Sequence, residues 1–288
     1  MRDYLIFTDT GCDIAPGILE KWGVRAEALT FHFDGEEKEY SAHDMDISAF
    51  YERMRQGGVA KTSAVSTGVF AEAFEKVIKE GYDILYLGFS SGLSTTYNSA
   101  RVAMETLREK YPEAKLLAVD SLCASAGQGL LLSLLVDKRE EGASIEEAVE
   151  YAESLRLKVC HWFTVDDLVY LKRGGRISPT LAFVGNMLGI KPVLHVDNEG
   201  HLVNVSKVRG RRNALLTMAE KYGESADDAR GGRVYISHGD CLGDAEALAK
   251  ILEEKYGVKV ELITDVGTVI GAHSGPGTLA LFFLGKER

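Results

Sequence analysis

The 288-residue chain is 45% apolar and carries a formal net charge of −10. That length and apolar content allow two domains with cores of their own, and the acidic balance excludes a general nucleic-acid binder, which needs clustered Lys and Arg. No apolar run is long enough to span a bilayer, no charged-then-apolar leader precedes the first strand, and Cys12, Cys123, Cys160 and Cys241 form no C-x-x-C pair, so a cytoplasmic protein with no integral membrane segment and no disulfide framework is expected.

Tyr4 to Thr8 is an apolar run that reads as the first central strand. It ends in Thr8-Asp9-Thr10-Gly11-Cys12-Asp13. Ligands of open α/β sheets lie outside the carboxyl ends of the strands, so this turn is one rim of a possible pocket. Asp9 and Asp13 serve equally well as caps of the helix from Pro16 to Trp22. Ala26 to Phe33 reads as a second strand, followed by the turn Asp34-Gly35-Glu36-Glu37 with hairpin chemistry. Ile47 to Gln56 is a helix stopped by Gly57-Gly58. Lys61 to Thr67, holding Thr62 and Ser63, is a hydroxyl-rich loop ahead of the helix Val69 to Lys79.

The same pattern recurs in the stretch that organises the chain. Ile84 to Leu87 is a buried strand. After it come Ser90, Ser91, Gly92, Ser94 and Thr95, and then Ala100, Ala103, Met104 and Leu107 at helical spacing. A strand that feeds a helix through hydroxyls and a glycine builds an anion site, because free N–H groups and the helix dipole favour negative charge. Ser and Thr are also ordinary helix caps. Gly88-Phe89-Ser90-Ser91-Gly92 further fits G-x-S-x-G, which opens a rival reading: a serine hydrolase with Ser90 as nucleophile, His273 as base and Asp240 or Asp265 as orienter.

Lys115 to Asp120 is the next strand. Asp120-Ser121 leads into an unusually apolar helix with Ala124, Gly127 and Gly129 at its start, and Ser144-Ile145-Glu146-Glu147 is a capping box. Alternation of strand and helix through Leu157 predicts a mostly parallel sheet with helices on both faces over residues 1–157. Residues 158–288 read as a second α/β domain with antiparallel strands. Val159 to Thr164 is a strand, and Lys172-Arg173-Gly174-Gly175-Arg176 sets cations around a glycine pair. Ser178-Pro179 opens a helix to Leu188. Ile190 to Val196 and His201 to Val208 flank a turn and form a hairpin. Arg209, Arg211 and Arg212 follow. Strands at Arg233 to Ser237 and Lys259 to Ile263 enclose a helix from Asp244 to Tyr256. Gly267 to Gly277 is glycine-dense, contains His273, and precedes a closing apolar strand. The seven histidines show no H-E-x-x-H or similar spacing, so no metal is expected.

Several of these motifs coincide with one family. Thr8-Asp9-Thr10, Lys61-Thr62-Ser63, Ser90-Ser91-Gly92-Leu93-Ser94, Asp120-Ser121, Leu171 to Ser178, Lys191-Pro192 with Arg209-Gly210, and Gly271 to Gly277 occur in the order of the DegV family and span nearly the whole chain. The chain resembles that family, whose members bind fatty acids. The resemblance implies a two-domain α/β protein holding a long-chain fatty acid, with no cofactor. Its carboxylate is expected at Thr62 and Ser94, with His273 in the polar network and Ser63, Ser91, Gly92, Thr95 and Ser121 in support. Members resemble the acyl-binding subunit of bacterial fatty-acid kinase, so a separate ATP-dependent kinase is the implied partner. Arg173, Arg176 and Arg209 would then meet phosphate or the kinase. A lipid-sensing regulator would use the same pocket. The chain departs from the family at Thr95, where glycine is usual, at Ala64-Val65, where Gln-Pro is common, and at Gly11-Cys12.

Overall fold

Short apolar runs alternating with amphipathic segments build the first half into two sheets. The computed structural model describes residues 3–177, 189–227 and 232–288. Strand β1 (Tyr4–Asp9) is followed by helix α1 (Pro16–Lys21), β2 (Val24–Glu27), β3 (Thr30–Phe33), β4 (Tyr40–Ser41), α2 (Ile47–Arg55) and β5 (Ala60–Ser63). Then come α3 (Thr67–Lys79), β6 (Asp83–Gly88), α4 (Thr96–Lys110), β7 (Leu116–Asp120), α5 (Ala126–Glu140) and α6 (Ile145–Arg156). Strands β2-β1-β6-β7 form a parallel sheet, and β4-β3-β5 a small antiparallel one.

Side chains alternate across the parallel sheet. Ile6, Leu85 and Leu87 face a core with α5 and α6. Phe7, Ile84 and Tyr86 face the Phe70 and Phe74 rings of α3 and the buried side of α4. Two sequence expectations change here. The single strand expected over 26–33 is two strands in different sheets. Buried Leu29 lies between them, with its amide held by Thr10 Oγ1 at 3.0 Å, and this pins the chain where it turns away. The hydroxyl-rich loop expected after Lys61 begins as strand β5, because Thr62 pairs with Phe31. Threonine suits a pleated, half-buried strand as well as it suits a loop.

The second half contains β8 (Val159–Thr164), α7 (Val169–Arg173), β9 (Ile190–Val196), β10 (Leu202–Arg209), α8 (Arg211–Ser225), β11 (Val234–His238), α9 (Leu242–Tyr256), β12 (Leu262–Asp265), α10 (Thr268–Ser274) and β13 (Leu279–Leu284). Its sheet has the order β10-β9-β8-β13-β11-β12 and is antiparallel except for the β11–β12 pair. The helix expected over Thr180 to Leu188 lies outside the described residues. The glycine-dense stretch forms α10, a short helix the periodicity did not announce. Helix α5 packs on both large sheets and is apolar around most of its circumference, as a fully enclosed helix must be. Among the described residues no helix is long and apolar enough to cross a membrane.

Candidate functional site

The carboxyl ends of β1 and β6 converge on Asp9, which is fully buried. Its Oδ2 accepts from the Tyr86 hydroxyl at 2.6 Å and the Phe89 amide at 2.9 Å. Its Oδ1 accepts from the Gly11 amide at 2.9 Å and Gln128 Nε2 at 3.4 Å. Burial pushes the Asp9 pKa up, and these hydrogen bonds oppose that shift. The carboxylate thereby holds the start of both polar turns.

The loop after Phe89 then closes on itself. The amide of Ser91 donates to Asp120 Oδ1, that of Gly92 to Ser90 Oγ, those of Leu93 and Ser94 to the Ser90 carbonyl, and that of Thr96 to Ser94 Oγ. Sequence reasoning turned such amides toward a ligand. The structure uses these five within the protein: two on serine hydroxyls, which readily capture neighbouring N–H groups, two on the Ser90 carbonyl and one on the Asp120 carboxylate. The tip of the β9–β10 hairpin covers the loop: Ser90 Oγ donates to the Gly200 carbonyl at 2.9 Å. A Cβ at Gly92 would lie 2.8 Å from the Glu199 carbonyl oxygen, so only glycine permits this approach.

Side chains supply further donors for an anion. Strand β5 brings Thr62 Oγ1 to 2.8 Å from Nε2 of His273 on α10. Both residues line a cavity of about 860 Å³ together with Ser91, Gly92, Ser94, Thr95 and Arg176. Much of the remaining wall is apolar, including Leu29, Phe89, Leu93, Phe163, Val269 and Phe282. The volume is that of a small-molecule site. Burial, reinforced by the Arg176 charge, lowers the His273 pKa to about 4, so the imidazole is neutral at pH 7.

His273 Nδ1 has no hydrogen-bond partner among the described residues, and neither has the buried Ser274 Oγ in the same cavity wall. Sequence reasoning missed Ser274, whose only signal was a hydroxyl beside His273. Arg176 Nε donates to the Leu93 carbonyl at 3.1 Å and Nη1 to the Gly174 carbonyl at 2.5 Å. These bonds set a positive charge beside Ser94. Burial lowers the Arg176 pKa, yet a guanidinium stays ionised. Sequence reasoning grouped Arg176 with Arg173 and Arg209. Arg176 lines the cavity, whereas Arg173 and Arg209 are exposed and outside its lining. Ser63 is exposed, since it alternates to the other side of β5 from Thr62. Ser121 is buried outside the lining and accepts from the Cys123 amide at 3.1 Å.

Gly174 has helical dihedrals, so its lack of a side chain serves space and not backbone freedom. A Cβ there would collide with His273 Nδ1. Gly174→Ala is expected to push the imidazole off Thr62 and weaken ligand binding about tenfold, with a change in melting temperature of only a few degrees. Calorimetric titration and thermal unfolding check this together. Unaltered affinity would show that His273 does not need its present seat.

A second polar group lies elsewhere on the wall. Ser125 Oγ donates to Asp13 Oδ2 at 2.5 Å and lies 2.9 Å from Ser237 Oγ. Burial, with smaller contributions from Asp265 and Asp9, raises the Asp13 pKa to about 7. A carboxyl raised in the folded state contributes stability below its unfolded pKa, and that contribution is lost as pH rises through the folded value. The stability of the native chain relative to Asp13→Asn is therefore expected to fall between about pH 4 and pH 7, by up to about 4 kcal/mol. Urea unfolding across that range measures it, and a pH-independent difference would reject it.

The hydrolase constellation is not assembled. Ser90 is fully buried with its hydroxyl on Gly200, His273 contacts Thr62, Asp240 pairs with Arg55 at 2.5 Å, and Asp265 lies 3.6 Å from His238. The G-x-S-x-G match is real in sequence, but the roofing hairpin takes the serine out of reach.

The DegV family model matches residues 4–286. The chain belongs to the DegV family. A DegV domain-containing protein of Clostridium perfringens is 42% identical, with 100% of this chain and 99% of the relative covered. A fatty acid-binding protein of Thermotoga maritima is 34% identical over 95% of each chain. Among solved structures, a stearic acid-binding protein of Eubacterium ventriosum superposes with a TM-score of 0.88 at 28% identity, over 98% of both chains. A DegV family protein of Thermus thermophilus, described for fatty acid binding, gives 0.87 at 28% identity, over 99% of this chain and 100% of that one. The expected α/β fold, with a parallel sheet in the first half and a mostly antiparallel sheet in the second, is the one observed.

Proposed function

We propose that this chain binds one long-chain fatty acid and presents its carboxyl to a separate ATP-dependent kinase for acyl phosphate formation. The observation that supports it most is a cavity with a largely apolar wall that Thr62, His273, Ser94 and Arg176 line together. The tail supplies the affinity. About fifteen buried methylenes gain roughly 12 kcal/mol gross at about 0.8 kcal/mol each, and association costs take back a large share. A carboxylate cannot enter that wall unpaired. Two hydroxyls, a neutral imidazole and a fixed guanidinium supply charge-assisted partners, with the Ser274 hydroxyl close by in sequence and in the same wall.

The kinase part of the reading draws on different residues. Arg173 and Arg209 are exposed cations on an acidic protein. They suit contact with phosphate or with the enzyme that delivers it. The sequence contains no Walker A motif, so phosphoryl transfer is assigned to the partner.

Native mass spectrometry of the purified protein, followed by denaturing extraction and lipid analysis, tests the binding step. A mass excess equal to one long-chain fatty acid is expected. A protein that is empty and also refuses added stearic acid would overturn the reading. Acyl phosphate that forms only when an ATP-dependent fatty-acid kinase is added would support the presenting role, and its absence with the loaded protein would reject it.

A further inference from the structure

Helix α10 faces the cavity on one side and helix α2 on the other. Val269, Ile270 and His273 line the cavity. Gly271 precedes His273 by two residues, which is about 200° around a helix of 3.6 residues per turn. The two therefore lie on opposite sides of α10. Tyr51 of α2 occupies the space at Gly271, because a Cβ on that glycine would collide with the Tyr51 hydroxyl. The next residue, Ala272, is buried with Phe50 and Tyr51 in one apolar cluster.

The Tyr51 hydroxyl also holds the start of α10. It donates to the Val266 carbonyl at 2.7 Å. Val266 is buried, and its carbonyl lies ahead of the helical ladder, which begins with the Gly271 amide on the Gly267 carbonyl. The tyrosine thus supplies a donor that the helix does not. Tyr51 has no room to swing aside. Its side chain is fully buried, and a Cβ at Gly239 would lie 3.1 Å from the same hydroxyl oxygen. Thr268 ties the first turn of α10 to the same lobe, its Oγ1 donating to the Ala42 carbonyl at 3.0 Å.

Helix α10 is therefore set from both sides. Tyr51 fixes it at Gly271, and α7 closes on His273 at Gly174. The bond of 2.8 Å between Thr62 and His273 depends on that seat. A displacement of roughly 1 Å would carry it beyond hydrogen-bond reach. A flexible tail follows a displaced wall, whereas a carboxylate needs its donors at fixed distances. The seat of α10 therefore matters to the head group more than to the tail.

We propose that Tyr51 is a positioning residue for carboxylate recognition: it seats α10 and so holds His273 beside Thr62, where the ligand's head group binds. This rests on the fatty-acid reading above. The test measures, on delipidated protein, the affinities of stearic acid and of 1-octadecanol, which shares the tail and lacks the carboxylate. Both are followed by displacement of the same fluorescent fatty acid. In Tyr51→Phe the affinity for the acid is expected to fall about fivefold, and that for the alcohol by less than about twofold. Gly271→Ala drives a methyl group against the Tyr51 hydroxyl and is expected to lower the acid-to-alcohol preference further. Adding Tyr51→Phe to Gly271→Ala removes the colliding oxygen and is expected to restore part of that preference. Both ligands meet the same preparation, so an unfolded fraction cancels from the ratio. An unchanged ratio in Tyr51→Phe, a loss shared equally by acid and alcohol, or a double variant no better than Gly271→Ala alone overturns the proposal while leaving fatty-acid binding intact. Failure of the native chain to bind stearic acid would overturn both.

Discussion

Delipidated protein carrying Thr62→Ala together with Ser94→Ala is expected to bind stearic acid about a hundredfold more weakly than the native chain. A hydrogen bond to a charged group contributes roughly 1.5–3 kcal/mol. Two such bonds, partly replaced by Arg176 and the freed His273, leave a net loss of about 3 kcal/mol, which is about a hundredfold in Kd. The fold should survive. Thr62 keeps its backbone pairing with Phe31, and Ser94 forfeits only its bonds to the Thr96 amide and hydroxyl. Displacement of a fluorescent fatty acid, read beside a thermal melt, separates the two effects. A double variant with native affinity would remove the carboxylate from this corner of the cavity.

Asp9→Ala is expected to lower stability by about 3 kcal/mol, measured by urea unfolding. The substitution strands the Tyr86 hydroxyl and the Phe89 and Gly11 amides in a dry interior. Each unpaired buried donor costs roughly 1–3 kcal/mol. Relief of carboxylate desolvation, which raises the Asp9 pKa in the folded protein, offsets part of that sum. Because Phe89 opens the loop that carries Ser94, the same variant should also bind fatty acid less well. A stability within 1 kcal/mol of the native chain would show that water replaces the carboxylate.

Local chemistry made much of this protein legible from its sequence. The apolar run at Ile84 to Leu87, the helix after Thr96, the capping box at Ser144 and the turn at Asp197 to Gly200 each form where near-neighbour preferences place them, because all their determinants lie within a few residues. The family motifs likewise marked Thr62, Ser94 and His273, which line one cavity although 211 residues separate Thr62 from His273. Other features needed the tertiary structure. Sequence could not show that β5 is a strand, since its pairing partner β3 lies thirty residues away and threonine tolerates strand and loop alike. Nor could it show that loop amides after Ser90 spend their donors internally, that a hairpin from the second half roofs Ser90, or that Arg176 turns inward while Arg173 stays in solvent. Nor could it show that Gly174 leaves space for His273. Ser125, Ser237 and Asp13 carry no common motif. Propensity and periodicity act over a few residues, whereas the orientation of a guanidinium or the partner of a buried hydroxyl depends on which distant groups the packed sheets bring within about 3 Å.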